Sequence, residues 1–198
     1  MITVGITGGI GTGKSTVVEM FKKLGVFAYS IDDRSKHLVN TNKHLRKRLV
    51  EMFGSEVFFE DGSYNTKLVS DIVFNDKESL NKLTDLFSKF IDQDYKDFLF
   101  DNLYEDYVVV ESAFFHEYNI ENWVDFMIGV DVKKDYRIYR IQLRNPNLTV
   151  PDILKRIDSQ MAQEEKMVLC DFVLNNDDKV DEKEVFRLNN LFIKIANL

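Results

Sequence analysis

Apolar positions follow two different spacings along this chain, and their alternation predicts the fold. Short runs rich in β-branched and aromatic residues, typical of strands buried on both faces, alternate with longer stretches of helical spacing. The strand-like runs are residues 2–7, 26–29, 107–111, 126–131 and 172–174. We therefore expect an α/β fold in which helices cover both faces of a mainly parallel five-stranded sheet.

The pattern changes between residues 61 and 105, where helical spacing continues without a strand-like run. Leu80, Leu83, Phe87 and Phe90 follow one another at steps of three and four. This spacing predicts a helical insertion, carried on one domain spanning residues 1–198 and long enough to hold part of a substrate. A last amphipathic stretch, residues 181–196, predicts a closing helix.

The first predicted strand ends in a glycine-rich loop with the spacing G-x-x-x-x-G-K-[ST]. Residues 8–15 read Gly-Gly-Ile-Gly-Thr-Gly-Lys-Ser, and a helical pattern follows them. Glycines let the backbone wrap a polyphosphate, and the helix N-terminus adds partial positive charge. A merely tight strand-to-helix connection does not need Lys14 and Ser15 at these positions. We expect Lys14 to reach the β- and γ-phosphates of ATP and the Ser15 hydroxyl to help hold Mg²⁺.

Two GTPase motifs, Asp-x-x-Gly and Asn-Lys-x-Asp, do not occur in the sequence. Their absence favours a kinase that transfers the γ-phosphate of ATP to a small molecule. Ligands of parallel sheets lie outside the carboxyl ends of the strands, and Asp32 follows the second strand directly. Its carboxylate is suited either to accept the proton of an acceptor hydroxyl or to cap a helix beginning near Asp33, and the spacing alone leaves both roles open.

Charged residues elsewhere have equally open interpretations. Arg137, Arg140 and Arg144 share a predicted helix face, which suits either a lid over transferring phosphates or a solvated basic surface. Glu111 and Glu117, on and after the third strand, are suited to order Mg²⁺ through water or to form ion pairs. A basic cluster at residues 43–48 is interpreted as a solvated face.

Several of these motifs resemble those of the dephospho-CoA kinase family, and the similarity runs over most of the chain. Residues 7–16 are similar to the family's T-G-G-I-G-S-G-K-S-T, and Arg140 and Arg144 match the R-x-x-x-R of its lid. Asp32 matches the second aspartate of an Asp-x-Asp motif, with Ser30 in place of the first. Residues 156–161, 164–166 and 171–176 resemble R-I-x-x-Q-M, E-E-K and A-D-x-V-I-x-N.

The resemblance implies a three-layer P-loop kinase core that transfers phosphate from ATP to the 3′-hydroxyl of dephospho-CoA, giving coenzyme A and ADP. Residues 61–105 would form the helical acceptor subdomain and residues 135–155 the lid. It implies catalytic roles for Asp32, as base, and for Lys14 and Arg140. The residues expected to bind ATP are Gly8, Gly9, Gly11, Thr12, Gly13, Lys14, Ser15, Thr16, Arg144 and Asn176, of which Ser15 would hold Mg²⁺.

Acceptor binding is expected from Asp32, Glu117, Ser88 and Lys89. Glu117 corresponds to the glutamate of the family's P-L-L-x-E, whereas Ser88 and Lys89 stand where the family usually has His-Pro. Two alternatives stay open: a related nucleoside or deoxynucleoside monophosphate kinase, including viral forms, and a noncatalytic ATP-binding regulator. A pure binder has no need of an acceptor-side base and a phosphate lid, which counts against the regulator.

Composition narrows the possible partners. Among 198 residues, 26 Lys and Arg stand against 33 Asp and Glu, and the net charge of −7 disfavours a nucleic-acid-binding protein. Cys170 is the one cysteine and cannot form an intramolecular disulfide, which fits a reducing cytoplasm. No apolar run is long enough to cross a bilayer. We expect a cytoplasmic protein with a small-molecule acceptor, no nucleic-acid or membrane partner, and a monomeric or weakly homo-oligomeric state.

Overall fold

The computed structural model describes the backbone of residues 1–198 and the side chains of all of them except residues 74 and 75. The chain forms two compact units. The first comprises Met1–Ser30 and Asn102–Leu198, and the second comprises Ile31–Asp101. The helices are α1 (Lys14–Lys23), α2 (Ile31–Thr41), α3 (Lys43–Phe53), α4 (Thr66–Asn75), α5 (Lys77–Asp101), α6 (Lys134–Arg144), α7 (Val150–Asp158), α8 (Gln163–Val168) and α9 (Glu182–Ala196).

A parallel sheet organises the first unit. Within the described chain it has five strands: β1 (Ile2–Thr7), β2 (Ala28–Ser30), β3 (Tyr107–Glu111), β4 (Phe126–Asp131) and β5 (Phe172–Asn175). Their order is β2-β3-β1-β4-β5, and all four pairings are parallel. The strands β2 and β3 lie on one side of β1, and β4 and β5 lie on the other. The strand order therefore changes direction at β1, and ligands of such sheets bind in the crevice at the carboxyl end of that strand. The predicted α/β fold is confirmed.

Strand boundaries match the prediction at the centre of the sheet and shift at its edges. β1, β3 and β4 have the predicted bounds, whereas β2 begins at Ala28 instead of residue 26. The Val26 N–H donates to the Phe21 carbonyl at 3.2 Å, so residue 26 still belongs to the turn that ends α1. β5 extends to Asn175, which pairs with Asp131.

Helices α1 and α9 close one core over this sheet. α1 buries Val17, Val18 and Phe21 on one face, whereas Leu24, at its C-terminal end, is exposed. Phe192 of α9 is fully buried and stacks at 5.5 Å on Tyr107 of β3. Burying a side chain of this size contributes about 1.5–3 kcal/mol. The predicted closing helix is thereby confirmed, and it packs on α1 and β3.

The second unit is helical, and it starts earlier than the expected insertion. α5 contacts α2, α3 and α4, and the Arg34 Nε of α2 donates to Asp94 Oδ2 of α5 at 2.7 Å. Because α2 and α3 pack on α5, the compact unit runs from Ile31 to Asp101, whereas the sequence suggested residues 61–105. None of the described helices is long and apolar enough to span a membrane.

One member of the basic cluster at residues 43–48 is not solvated. The Arg46 guanidinium stacks 3.8 Å from the centre of the Phe58 ring and donates to the carbonyls of Val39 and Gly62 at 2.9 and 2.8 Å. Lys43, Lys47 and Arg48 are exposed, as expected. The solvated interpretation was therefore wrong for Arg46, which cross-links the second unit through cation–π and hydrogen-bond contacts.

Candidate active site

The loop between β1 and α1, residues 8–15, is called the phosphate loop below. Two of its glycines are required by close approach of other groups. A Cβ on Gly9 would lie 2.3 Å from Arg137 Nη2, and a Cβ on Gly13 would lie 2.3 Å from Asn176 Nδ2. Gly13 also has φ = +90°, a left-handed conformation in which other residues are strained. The glycines thus allow side chains from outside the loop to pack directly on its backbone.

Several N–H groups of the phosphate loop are open. Thr16 and Val17 donate to the Gly13 carbonyl at 3.0 and 3.2 Å, whereas the N–H groups of Gly11, Gly13 and Ser15 donate to no residue that the structure describes. These groups stand at the N-terminus of α1, where the helix dipole carries partial positive charge. The arrangement is a cradle for an anion.

Lys14 brings a formal positive charge to this cradle. Its Nζ lies 3.4 Å from the Gly9 carbonyl and 3.8 Å from Glu111 Oε1, and its side chain is only 10% exposed. Glu111 in turn accepts a hydrogen bond from the Ser30 hydroxyl at 2.8 Å. Of the two roles open for Glu111, the structure shows the ion pair. The ammonium group is held beside the loop, within its low-dielectric surroundings.

The Arg140 guanidinium also lies beside the phosphate loop, and not all of its N–H groups are hydrogen-bonded. Its Nη2 donates to the carbonyls of Asn176 and Asp177 at 2.7 and 3.0 Å. Its Nη1 is buried and has no hydrogen-bond partner among the described residues, and it lies 3.9 Å from the position of a Cβ on Gly13. An unpaired buried donor costs about 1–3 kcal/mol, so an anion in the cradle would supply a missing partner.

The three arginines of α6 have three different environments, which their shared spacing did not indicate. Arg137 is 4% exposed, and its Nε donates to the Ile10 carbonyl at 3.0 Å. Arg140 is partly buried, as described above. Arg144 is exposed at the C-terminal end of α6, and the chain then continues through residues 145–149 to α7. Thr149 caps α7 with a reciprocal pair of hydrogen bonds to Asp152.

Contacts that sequence reasoning missed complete the loop's surroundings. The Gln163 Oε1 accepts from the Gly9 N–H at 3.0 Å, and the Gln160 Oε1 accepts from the Ile10 N–H at 2.8 Å. The Asn176 Nδ2 donates to the Thr12 carbonyl at 2.8 Å. Gln160 and Asn176 lie in motifs of the resemblance, but nothing in their spacing says which atoms they contact. Gln163 carries no sequence signal that would have found it.

Glu117 has an internal partner. Its Oε1 accepts from the Met161 N–H at 3.0 Å and lies 3.0 Å from the Nζ of Lys166, which is fully buried. Burial alone raises the pKa of Glu117, but the hydrogen bonds from Met161 and Lys166 outweigh it and hold that pKa below its ordinary value. Of the two roles open from the sequence, the structure shows the ion pair for this carboxylate as well.

The donor set around the phosphate loop limits how a divalent cation would be held. Ser15 and Thr16 are exposed at the start of α1, and the Ser15 hydroxyl has no hydrogen-bond partner among the described residues. The described residues contain no group of three His, Cys, Asp or Glu side chains able to hold a metal ion by themselves. Any such ion would depend on phosphate oxygens and the Ser15 hydroxyl, which is the way Mg²⁺ usually binds with nucleotides.

Comparison with known proteins identifies the family. The family model for dephospho-CoA kinase matches residues 2–182. The chain belongs to the dephospho-CoA kinase family. A dephospho-CoA kinase of Listeria monocytogenes is 31% identical over 200 residues, covering 97% of this chain and 98% of the relative. One from Bacteroides fragilis is 32% identical over 176 residues, covering 89% and 85%. As a member of this family, the chain is an ATP-dependent kinase with small-molecule substrates.

Solved structures agree on the fold. A protein of Thermus thermophilus superimposes with a TM-score of 0.82 at 25% identity, covering 100% of this chain and 97% of that protein. The dephospho-CoA kinase of Campylobacter jejuni superimposes with a TM-score of 0.70 at 23% identity, covering 99% and 98%. The second likeness supports the fold alone.

The remaining predicted residues, which the family resemblance assigns to the acceptor, lie in the second unit. Asp32 is exposed in the first turn of α2, which begins at Ile31. The helix therefore starts two residues earlier than the capping interpretation required, and no hydrogen bond from a described residue reaches the Asp32 carboxylate. Ser88 and Lys89 are exposed on α5.

Proposed function

We propose that the chain transfers the γ-phosphoryl group of ATP to the 3′-hydroxyl of dephospho-CoA, giving coenzyme A and ADP. The observation that carries the proposal is the phosphate loop itself: open N–H groups of Gly11, Gly13 and Ser15 beside the unpartnered Nη1 of Arg140. The acceptor is proposed from the family, because the relatives that match nearly the whole chain are named dephospho-CoA kinases.

On the ATP side, the phosphate loop binds the β- and γ-phosphates through its backbone, and Lys14 neutralises their charge. Gly8, Gly9 and Thr12 shape this loop, while Ser15 and Thr16 present hydroxyls at its end. The Ser15 hydroxyl is the ligand that this chain offers to Mg²⁺, with the nucleotide's oxygens supplying the others. When bound, the ion neutralises charge that develops on the phosphates.

Residues 135–155 act as the lid in this proposal. Arg140 donates its free Nη1–H to the transferring phosphoryl group, and Arg144 approaches the phosphates from the exposed end of α6. Asn176, next to Arg140 at the end of β5, supports the nucleotide-binding side through its contact with the phosphate loop.

On the acceptor side, Asp32 orients the 3′-hydroxyl of the ribose and accepts its proton. The hydroxyl oxygen forms a bond to the γ-phosphorus, the bond from that phosphorus to the β–γ bridging oxygen breaks, and ADP leaves. Phosphoryl transfer is loose, so orientation of the oxygen matters more than early loss of its proton. Residues 61–105 hold the rest of the acceptor, with Ser88 and Lys89 on the exposed face of α5 offering a hydroxyl and a point charge.

The proposed reaction uses residues of one chain, so we propose a monomer or a weak homo-oligomer. We also propose a cytoplasmic location, where ATP is available and Cys170 stays reduced.

Measurement of ADP release with ATP and Mg²⁺ against several acceptors tests the proposal. The panel consists of dephospho-CoA, AMP, CMP, dCMP, dGMP and dTMP. We expect kcat/KM for dephospho-CoA to exceed that for every monophosphate by about tenfold or more, which corresponds to about 1.4 kcal/mol of transition-state preference. A monophosphate preferred by the same factor would replace the proposal with a nucleoside monophosphate kinase, and ATP binding without any turnover would favour a regulator.

A further inference from the structure

Two carbonyl groups of the phosphate loop are held by side chains from distant parts of the chain. The Arg137 Nε of α6 donates to the Ile10 carbonyl at 3.0 Å. The Asn176 Nδ2, at the end of β5, donates to the Thr12 carbonyl at 2.8 Å. Both side chains are buried, with exposures of 4% and 6%. Both contacts therefore lie in surroundings where a hydrogen bond is strong and its loss is costly.

Each of these carbonyls shares a peptide plane with an N–H group of the cradle. In a trans peptide the C=O and N–H bonds are coplanar and point in opposite directions. The Ile10 carbonyl is paired in this way with the Gly11 N–H, and the Thr12 carbonyl with the Gly13 N–H. A hydrogen bond that fixes the carbonyl therefore also fixes the direction of the N–H on the other side of the plane.

The two N–H groups oriented in this way are among those that remain available to a ligand. Gly11 and Gly13 donate to no described residue, whereas the N–H groups of Gly9 and Ile10 are occupied by Gln163 and Gln160. Gly11 and Gly13 have φ values of +84° and +90° and, as glycines, many other conformations open to them. The hydrogen bond on each carbonyl therefore restricts rotation of a peptide plane that its glycine would otherwise permit.

We propose that Arg137 and Asn176 are positioning residues. Their hydrogen bonds to the carbonyls of Ile10 and Thr12 orient the N–H groups of Gly11 and Gly13 toward the phosphates. The idea rests on the proposed function only in that the bound anion is a nucleotide phosphate. Neither side chain needs to touch the nucleotide. The role differs from that of Arg140, whose own Nη1–H is available to the ligand.

Arg137 is buried and packs on the backbone of Gly9, and its Nε hydrogen bond to the Ile10 carbonyl is its direct polar link to the loop. Together with Gln160 and Gln163 it borders a cavity of about 550 Å³. Burial lowers the pKa of Arg137, and the negative charges of Glu164, Asp131 and Asp158 offset only part of that effect. Arg137→Met and Arg137→Lys both shorten the side chain beside this cavity, and both lose the Nε hydrogen bond to the Ile10 carbonyl, whereas only Arg137→Met also removes the charge.

Amide NMR of the full-length protein titrated with ADP and Mg²⁺ tests the proposal without any acceptor. In the parent protein we expect the amide signals of Gly11 and Gly13 to shift together when ADP binds. In Arg137→Met, the Gly11 shift should be lost or greatly reduced while the Gly13 shift persists. In Asn176→Leu, which keeps the branched shape, removes the donor and adds no charge beside the phosphates, the Gly13 shift should be lost and the Gly11 shift kept.

The same variants should bind ADP about tenfold more weakly, the loss expected for one buried hydrogen bond to a charged or polar anchor. Arg187→Met is the matched control, because Arg187 is exposed on α9 and forms its ion pair with Glu184 of the same helix. It should leave ADP affinity and both amide shifts unchanged. If Arg137→Met does not fold, Arg137→Lys keeps the charge but loses the fixed Nε donor, and it should still reduce the Gly11 shift selectively.

Two results would overturn the proposal. One is an unchanged Gly11 shift together with ADP affinity within about twofold of the parent in Arg137→Met or Arg137→Lys. The other is loss of both amide shifts in every variant, in step with a lower melting temperature, which would assign Arg137 and Asn176 to general stability. A different acceptor would change neither the amide shifts nor the ADP affinity. Failure of the proposed function can therefore be distinguished from failure of the positioning proposal.

Discussion

The phosphate loop and the helices α2 and α5 present their candidate residues in different surroundings. In the first unit, Arg137, Gln160, Gln163 and Asn176 hold the loop by hydrogen bonds of 2.8 to 3.0 Å to its backbone. In the second unit, the carboxylate of Asp32 and the side chains of Ser88 and Lys89 are exposed. The side that we propose for ATP is thus held in place by the protein, whereas the side that we propose for the acceptor offers side chains without such hydrogen bonds.

The difference indicates how the free energy of recognition is divided. Backbone N–H groups and the largely buried Lys14 lose little freedom when a phosphate binds, because folding has already fixed them. Exposed side chains on helices must be ordered by the ligand itself. Substitutions on the ATP side should therefore affect catalysis strongly, and substitutions on the acceptor side should affect it less and leave nucleotide binding intact.

The largest effect is expected for Lys14→Met. Removing the fixed cation beside the loop should lower kcat by about 10² or more, the usual cost of losing a preorganised electrostatic contact. Single-turnover phosphorylation with saturating ATP measures it. Lys22→Met is the matched control on the same helix, because Lys22 is exposed and forms its ion pair with the neighbouring exposed Glu19. A kcat of the Lys14 variant within about threefold of the parent value would contradict this comparison, because the loop would then not contribute to the chemical step.

A smaller and more selective effect is expected for Asp32→Asn. The amide keeps the shape but cannot accept the proton of the acceptor hydroxyl, so kcat should fall by about tenfold or more. The affinity for ADP, measured by calorimetry, should stay within about twofold of the parent because Asp32 faces the acceptor in our proposal. Asp33→Asn, the neighbouring exposed carboxylate, serves as control and should retain parental kcat. Unchanged kcat in Asp32→Asn would leave this residue without a role in transfer.

Local patterns in the sequence predicted the centre of the molecule well. β1 and the loop after it follow from a short apolar run and fixed spacings of glycine, lysine and serine, all of which act over a few residues. The α/β fold follows for the same reason, since strands buried on both faces leave a clear apolar signal. Family membership was likewise recognisable from these motifs.

Features that depend on distant contacts were not predictable. Arg137, Arg140 and Arg144 have equivalent spacing, yet only tertiary packing makes the first buried and the last exposed. The helical unit begins at Ile31 because α2 is tied to α5 through Arg34 and Asp94, which are sixty positions apart. The anchors on the loop come from positions more than a hundred residues away, and a glutamine or asparagine in isolation gives no sign of its partner.

The most direct test of the account is chemical analysis of the product formed from ATP and dephospho-CoA. The ribose of dephospho-CoA has a free 2′,3′-diol that periodate cleaves, whereas a phosphate on the 3′-oxygen protects it. We expect one added phosphoryl group by mass spectrometry, resistance to periodate, and a ³¹P signal identical to that of coenzyme A. A product that periodate still cleaves, or ATP consumed with dephospho-CoA unchanged, would contradict the account.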